Sequence, residues 1–270
     1  MARAASDTPF RTVSGGSTAP FVLTCEHAAN RLPTRVALSA DERRVLASHR
    51  GWDIGAWKLT RELARRLGAS AVGGRWSRLF IDLNRRLDDP TLIRRTAQGV
   101  TLSWNLKLDS AELERRYLEY HAPYHLEIDR LILRRRVRGV RPLIVAVHTF
   151  TDVYRGRRRP FQVGVLYDKH ARQAHRLGRA LKSAGLSVRY NQPYSGIAGL
   201  MYAADRHGTH YGLPCLELEF NQRLFRGQTA AARLGRIVAA AVRNLDAGHP
   251  SAFPSPCYNA PFVSDAGKPR

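Results

Sequence analysis

The stretch Pro142-Leu143-Ile144-Val145-Ala146-Val147, followed at once by His148, decides the fold. A short apolar run ending abruptly at a polar residue suits a strand buried on both faces. Such a strand belongs to a sheet with helices packed on each side, so the flanking segments must supply both. Phe21-Val22-Leu23-Thr24-Cys25 is a second apolar block, ending at Glu26-His27. Leu79 to Leu83, Phe161 to Tyr167, Ser187 to Tyr190 and Cys215 to Phe220 read as further strands. Between them run helical patterns. Asp53 to Leu67 carries Ile54, Trp57, Leu59, Leu63 and Leu67 at mostly three- and four-residue spacing, with Gly68 as its stop. Ser110 to Arg138 is interrupted near Pro123; Lys169 to Ala184 and Thr229 to Leu245 complete the set. Strands alternating with helices predict a single α/β domain whose central, mostly parallel or mixed sheet has helices on both faces. Residues 1–18 read as a flexible leader, 19–248 as the domain, and 249–270 as an irregular tail rich in Pro and Ser.

Composition narrows the class. Hydrophobic residues make up 44% of the 270, enough for a sizeable core, which excludes a wholly disordered chain. No apolar run approaches the roughly 20 residues of a membrane-spanning helix. Met1 to Ala19 has no apolar core of a signal peptide, and Cys25, Cys215 and Cys257 form neither a CxxC pair nor a disulfide framework, so a cytoplasmic location is expected. Lys and Arg number 44 against 22 Asp and Glu, a net charge of +22. The excess is spread over Arg43-Arg44, Arg65-Arg66, Arg94-Arg95, Arg134 to Arg136 and Arg157 to Arg159, mostly on expected solvent faces and beside no recognition motif. A small anionic substrate is therefore expected as partner, with no specific nucleic acid and no membrane. The absence of GxSxG, GxxxxGKS and GxGxxG argues against the commonest serine-hydrolase, nucleotide-hydrolase and dinucleotide-binding designs.

In open α/β sheets the active crevice lies beyond the carboxyl ends of the strands. The polar residues there are Glu26, His27, His148, Glu217 and Glu219, with Asp53 at the head of the next helix. Two imidazoles and one carboxylate with an open fourth position is a ligand set typical of hydrolytic zinc. Such an ion brings the pKa of bound water to about 7 and polarises an amide carbonyl, while a nearby glutamate shuttles the proton. Plainer readings stand beside this one. His148 can be a hydrogen-bonded strand-end histidine, and Asp53 a helix N-cap. Glu217 and Glu219 share a strand face; exposed they would be idle, but their apolar neighbours point to burial, and buried carboxylates need partners. His121 and His125 lie four apart but lack the glutamate of a HExxH motif and flank Pro123, so packing or hydrogen bonding is expected of them. His207 and His210 line the pocket or are exposed.

The blocks TCEHAANRLP (24–33), DIGAWKLTRELARRL (53–67), SRLFIDLNRRLDDP (77–90), YHAPYH (120–125), VHTFTDVYRGRRRPFQVGVLYD (147–168), NQPYSG (191–196) and LELEFNQRLF (216–225) run in an order that resembles the N-formylglutamate amidohydrolase family. The resemblance covers about residues 20–226. It implies a catalytic domain with a zinc-exopeptidase-like fold, holding zinc or another divalent ion through His27, Asp53 and His148. It implies Glu219 as the general acid/base with Glu217 as the alternative. It also implies that Arg78, Asn84 and Arg85 line the substrate pocket, where a guanidinium holds a substrate carboxylate, or else that these arginines pair with Asp82. Tyr194, Ser195 and Gly196 would form a loop closing over the substrate.

Departures sit around the implied metal. Glu26 and Ala28-Ala29 replace a proline and a serine-glycine that flank the first histidine in the best-known members, and Thr151-Asp152 stands where a proline is common. They imply a divergent branch, and they make Glu26 a competitor of Asp53 as carboxylate ligand. The expected activity is hydrolysis of an N-formyl or other N-acyl bond on an acidic amino acid. The alternatives are a peptidase or peptidoglycan amidase on the same scaffold, or a protein that binds polyanions through its positive surface.

Overall fold

Period-two alternation along the buried strands sorts their side chains onto two faces, and each face has its own helices. The computed structural model describes residues 8–33 and 36–245. Its central sheet contains β1 (Phe10–Val13), β2 (Phe21–Cys25), β3 (Ser70–Gly74), β4 (Leu143–Phe150), β5 (Val163–Leu166), β6 (Val188–Tyr190) and β7 (Cys215–Asn221). The spatial order is β1-β3-β2-β4-β7-β5-β6. The central strands β3, β2, β4 and β7 are parallel neighbours. β1 and β5 join them antiparallel, and β6 pairs parallel with β5, so the sheet is mixed. The helices are α1 (Ala40–Ala47), α2 (Ala56–Leu67), α3 (Ser110–Arg116), α4 (Ala122–Arg136), α5 (Ala171–Ser183), α6 (Tyr202–Tyr211) and α7 (Ala230–Arg243). None of the described helices is long and apolar enough to cross a membrane.

On one face, Leu23, Val145, Val147, Leu216 and Leu218 pack against Leu59 and Leu63 of α2, Leu177 and Leu181 of α5, and Val238 and Val242 of α7. On the other, Val22, Ile144, Ala146 and Cys215 pack against Tyr124, Ile128 and Ile132 of α4 and Ala204 of α6. Continuing this second face along β4 and β7 brings His148, Glu217 and Glu219, where the strands run out beyond the apolar packing. A fully buried Leu or Ile contributes about 1.5–3 kcal/mol, whereas an ion buried without a partner costs several. The polar strand ends must therefore find partners, and they do so in the crevice described below.

Several expectations need correction. Leu79 to Leu83 is not a strand: Phe80 N–H donates to Ser77 O, Asp82 N–H to Leu92 O and Arg85 N–H to Asp82 O, a run of local turns. Leu79, Phe80 and Ile81 enter a satellite core with Val45, Leu46, Leu92, Ile93 and Trp104, and Leu83 packs onto the second face of the sheet. Residues 10–13, expected in the leader, form β1. The strand Ser70–Gly74 gave no apolar signal because its residues are small. His148 lies within β4 and not after it. Asp53 is not the cap of α2, since Gly55 occupies that position with a left-handed φ of 92°. The long helix from Ser110 is divided by a π-helical turn at Tyr117–His121, and Pro123 falls in the first turn of α4, where its missing N–H is harmless. The expected tail at 249–270, Cys257 and residues 1–7 of the leader lie outside the described residues.

The satellite core is tied to the N-terminus of α1 by one carboxylate. Glu42 Oε2 accepts from Ser39 N–H at 2.8 Å and its Oε1 from Ser103 N–H at 2.7 Å. Burial pushes this carboxyl up, but the donors of Ser103 and Ser39 outweigh it and hold it at about 2. A folded-state value below the unfolded one means that its contribution is present above the usual glutamate range and lost as pH falls towards 2. Glu42→Gln should thus lower unfolding stability at pH 7 by about 1–2 kcal/mol. The gap from wild type, measured by chemical denaturation, should narrow at pH 3; an equal gap at both pH values would refute this role.

Candidate active site

Where the parallel strands run out, six ionisable side chains converge, none more than 4% exposed. Glu26 and His27 follow β2, and Asp53 sits in the turn before α2, fastened to the first segment by a 2.9 Å bond from its N–H to His27 O. His148 of β4 lies in register beside Glu219 of β7, with Glu217 two residues back on the same face.

Each imidazole has one nitrogen held by a carboxylate. His27 Nε2 lies 2.7 Å from Asp82 Oδ1, and His148 Nε2 lies 2.7 Å from Glu26 Oε2. An ionised carboxylate only accepts, so each Nε2 carries a hydrogen, and in the neutral ring each Nδ1 keeps its lone pair. Both Nδ1 atoms face Asp53 Oδ2, at 3.5 Å from His27 and 2.9 Å from His148. Thr149 N–H donates to the same oxygen at 3.1 Å. His27 Nδ1 is buried with no hydrogen-bond partner among the described residues.

A further layer holds these carboxylates. Arg78 donates to Asp82 Oδ2 through Nε and Nη2, at 3.1 and 2.8 Å. Tyr124 OH donates to Glu26 Oε1 at 3.0 Å. Asn84 Nδ2 donates to Glu217 Oε2 at 3.3 Å, and its Oδ1 accepts from Ala203 N–H at 2.8 Å. Burial disfavours the charge on Asp53 and Asp82, but His27 and His148 in the first case, and Arg78 and His27 in the second, hold both below the usual carboxylate range. Burial also opposes a proton on His148, yet Glu217, Asp53 and Glu26 outweigh it and hold the imidazole well above its ordinary value. Glu219 goes the other way: burial first, then Asp53 and Glu217, push its carboxyl well up. Its Oε2 is buried and without a hydrogen-bond partner among the described residues.

Two groups offer ligand atoms within 4.8 Å of one another: His27, Asp53 and His148, and His148, Glu217 and Glu219. The first fits a divalent ion better. It brings together two imidazole nitrogens whose opposite sides are already held, one of them otherwise orphaned, with a carboxylate between them. The second approaches His148 from the Nε2 side, which Glu26 already fills.

The crevice opens into a cavity of about 440 Å³. Arg78, Asn84, Arg85 and Tyr194, expected at the substrate, line it. Ser195 and Gly196 do not: Ser195 Oγ accepts from Ala198 N–H, and Gly196 packs against Tyr167 O and Met201. The bidentate bond of Arg78 is made to Asp82 and not held open for a ligand. Sequence reasoning missed Glu26 and Asp82 as partners of the imidazoles, and missed His49, Arg50, Arg94 and Gln98 on the cavity wall. Glu26 was adjacent to a candidate ligand, a usable signal; the arginines were hidden in an arginine-rich chain.

His121 and His125 hydrogen-bond as expected. His121 Nε2 bonds to Arg85 O at 3.0 Å, and His125 Nε2 to Leu83 O at 3.1 Å, so α4 grips the turn that carries Asp82 and Asn84. Burial lowers both imidazoles, His121 to about 4 and His125 well below its ordinary value. Behind them, His125 Nδ1 meets His207 Nε2 at 3.0 Å, and His207 Nδ1 meets Asp129 Oδ1 at 2.8 Å. His207 and His210 both lie on α6, the first buried and the second exposed.

Residues 19–226 match the family model described as N-formylglutamate amidohydrolase. A gene product of Agrobacterium tumefaciens has a crystal structure similar to this chain, with a TM-score of 0.79 and 29% identity over 87% of this chain and 95% of that one. An N-formylglutamate amidohydrolase from Ralstonia eutropha JMP134 has the same fold, with a TM-score of 0.65 and 20% identity over 87% and 95% of the two chains. No curated protein shows a significant sequence match.

His125→Ala should leave Leu83 O without its donor and open a buried void, lowering stability by about 2 kcal/mol or more in denaturant titrations. A change below about 0.5 kcal/mol would show that the bond holds nothing in place.

Proposed function

This chain belongs to the N-formylglutamate amidohydrolase family, and we propose that it is a metal-dependent enzyme cleaving the N-formyl, or another N-acyl, amide of an acidic amino acid. The observation that carries this reading is the pair of carboxylate-held imidazoles whose Nδ1 atoms meet at Asp53, beside the unpartnered Oε2 of Glu219. His27, His148 and Asp53 would hold one divalent ion, zinc or another with similar donor preference. When bound, the ion polarises the amide carbonyl and acidifies water.

The remaining steps belong to the chain itself. Asp82 and Glu26 fix the ring orientation of the two histidines, and Arg78 keeps Asp82 ionised. Glu219 Oε2 accepts a proton from the water as its oxygen forms the new C–O bond to the amide carbon, and returns that proton to the nitrogen as the C–N bond then breaks, giving a carboxylate and a free amine. Its raised carboxyl pKa suits a group that must hold that proton between the two events. Glu217, held by Asn84, is the alternative for this role. We assign the enzyme to the cytoplasm, in keeping with Cys25 and Cys215 as buried free thiols.

Elemental analysis of the purified protein should find about one divalent ion per chain, and a screen of N-formyl and N-acyl amino acids should find amine release with an acidic member. His148→Ala should lose both the ion and turnover; full occupancy in that variant would overturn the ligand set. Glu219→Gln should keep the ion while kcat falls by about 100-fold or more. Near-normal turnover would move the proton-transfer role to Glu217.

A further inference from the structure

A line of hydrogen bonds runs behind the site, from solvent to the turn that carries Asp82 and Asn84. Leu83 O meets His125 Nε2 at 3.1 Å, His125 Nδ1 meets His207 Nε2 at 3.0 Å, and His207 Nδ1 meets Asp129 Oδ1 at 2.8 Å. Both rings are buried. Their planes are inclined by 27° with centroids 5.2 Å apart, so the facing nitrogens point at one another. The outer end of the line meets solvent, since Asp129 borders a groove between α4 and residues Gly15 and Ser17.

Both ends of this line only accept. Leu83 O is a carbonyl, and Asp129 is ionised: burial opposes its charge, but the bond from His207, Arg206 and Tyr211 outweigh it and hold the carboxyl below its usual range. His125 Nε2 and His207 Nδ1 therefore each carry a hydrogen, and the contact between the rings needs a third. Two neutral imidazoles supply only two. The facing nitrogens would then present lone pairs to each other across 3.0 Å, or one ring would change tautomer and give up Leu83 O or Asp129. One of the pair is thus an imidazolium. Asp129 draws that charge to His207, while burial first, then His121, His207 and Arg206, hold His125 well below its ordinary value. On the helix of His207 itself, Tyr202, Arg206 and Tyr211 are the other ionisable neighbours. Beneath that helix Cys215 of β7 lies against Gly208, its thiol pushed up to about 12 by burial and so uncharged.

The inner end of the line falls between two residues that the site uses. Asp82 fixes His27, and Asn84 bonds to Glu217 and, through Oδ1, to Ala203 N–H in the first turn of α6. α4 and α6 thus close on this turn together, and the imidazolium joins them. We propose that His207 and Asp129 are positioning residues for the reaction: the proton they hold keeps His125 bonded to Leu83 O, and its departure to solvent at high pH frees the turn that aims His27 and Glu217. The contribution is present while the proton is held and is lost as pH rises past the point where it leaves. The link to catalysis rests on the hydrolase reading above; the shared proton and its hold on the turn do not.

Nitrogen-15 NMR of the full chain labelled at histidine reads the state of each ring. At neutral pH His207 should carry hydrogens on both nitrogens and His125 on Nε2 alone. In Asp129→Asn that imidazolium signature should vanish at least about one pH unit lower than in wild type. Hydrogen exchange at the Asp82 and Asn84 amides reads the turn. Their protection in wild type should fall by about tenfold or more across the pH step at which the signature is lost. Over the same step kcat should fall by about tenfold while KM stays within about threefold. The double variant His207→Gln with Asp129→Asn rebuilds the line without a titrating proton: the first new amide donates to His125 Nδ1, and its carbonyl accepts from the second. It should keep protection within about threefold of wild type at neutral pH and lose the pH step, which a merely structural contact would not do. A neutral His207 at neutral pH, a signature unmoved in Asp129→Asn, or an equal pH step in the double variant would overturn the proposal. An imidazolium with pH-dependent protection, in a protein that hydrolyses no amide, would sustain the hold on the turn and sink the hydrolase reading instead.

Discussion

Two imidazoles each have one nitrogen fixed by a buried carboxylate, and the rest of the site depends on that constraint. Asp82 behind His27 and Glu26 behind His148 leave each ring a single lone pair and a single direction for it. Turning either ring away breaks a charge-assisted hydrogen bond worth about 1.5–3 kcal/mol in a place where water cannot replace it. Asp53 stands where the two directions meet. Arg78, Tyr124 and the Asn84 N–H hold the carboxylates in turn, and His121 and His125 hold the turn that carries Asp82 and Asn84. Orientation is handed inward from α4, whose far side is anchored in the hydrophobic core.

The sheet makes room for this concentration of charge. Alternation along β4 and β7 places Val147, Leu216 and Leu218 on the face covered by α2, α5 and α7, and His148, Glu217 and Glu219 on the opposite one. Four parallel central strands bring these ends to one edge. At Gly164 of β5, next to Glu219, an added Cβ would fall 2.0 Å from Gln192 O, so the loop after β6 can approach only because no side chain intervenes. The acids gathered there raise the proton affinity of His148 and, against the pull of that imidazole, of Glu219, an imbalance of charge that a bound cation would relieve.

Much of this was legible in the sequence, for reasons specific to each segment. Phe21–Cys25, Pro142–Val147 and Cys215–Phe220 announce buried strands because both faces need apolar residues, and the polar residues at their ends fall in the crevice. Ser70–Gly74 announces nothing: Trp57 lies against Gly73, and a residue with a Cβ there would strike its ring. Leu79–Leu83 misleads for the opposite reason. A short, mostly apolar run looks the same whether a sheet or a satellite core buries it, and only the backbone bonds to Ser77 and Leu92 tell them apart. The partnership of His27 with Asp82, 55 residues on, has no local signature.

Glu26 shows how an acid buried beside a candidate ligand is accommodated. Proline at that position supplies no side-chain acceptor, whereas Glu26 gives His148 Nε2 an ionised one. An isolated carboxylate so deeply buried would be untenable, and both of its oxygens are answered, Oε2 by His148 and Oε1 by Tyr124 from α4. Both oxygens of Glu26 thus have partners already, whereas Asp53 is the carboxylate grouped with the two Nδ1 atoms. Glu26 also carries a second effect. After burial itself and against the pull of His148, the charge of Glu26 is what pushes the carboxyl of Glu217 up, and Glu217 lies two residues from Glu219 on the same strand face. The group that aims His148 therefore also favours a protonated Glu217, which adds less repulsion to any charge that Glu219 must acquire. Glu26 thus contributes both to the orientation of His148 and to the proton affinity of Glu217, so a change at this one side chain alters both.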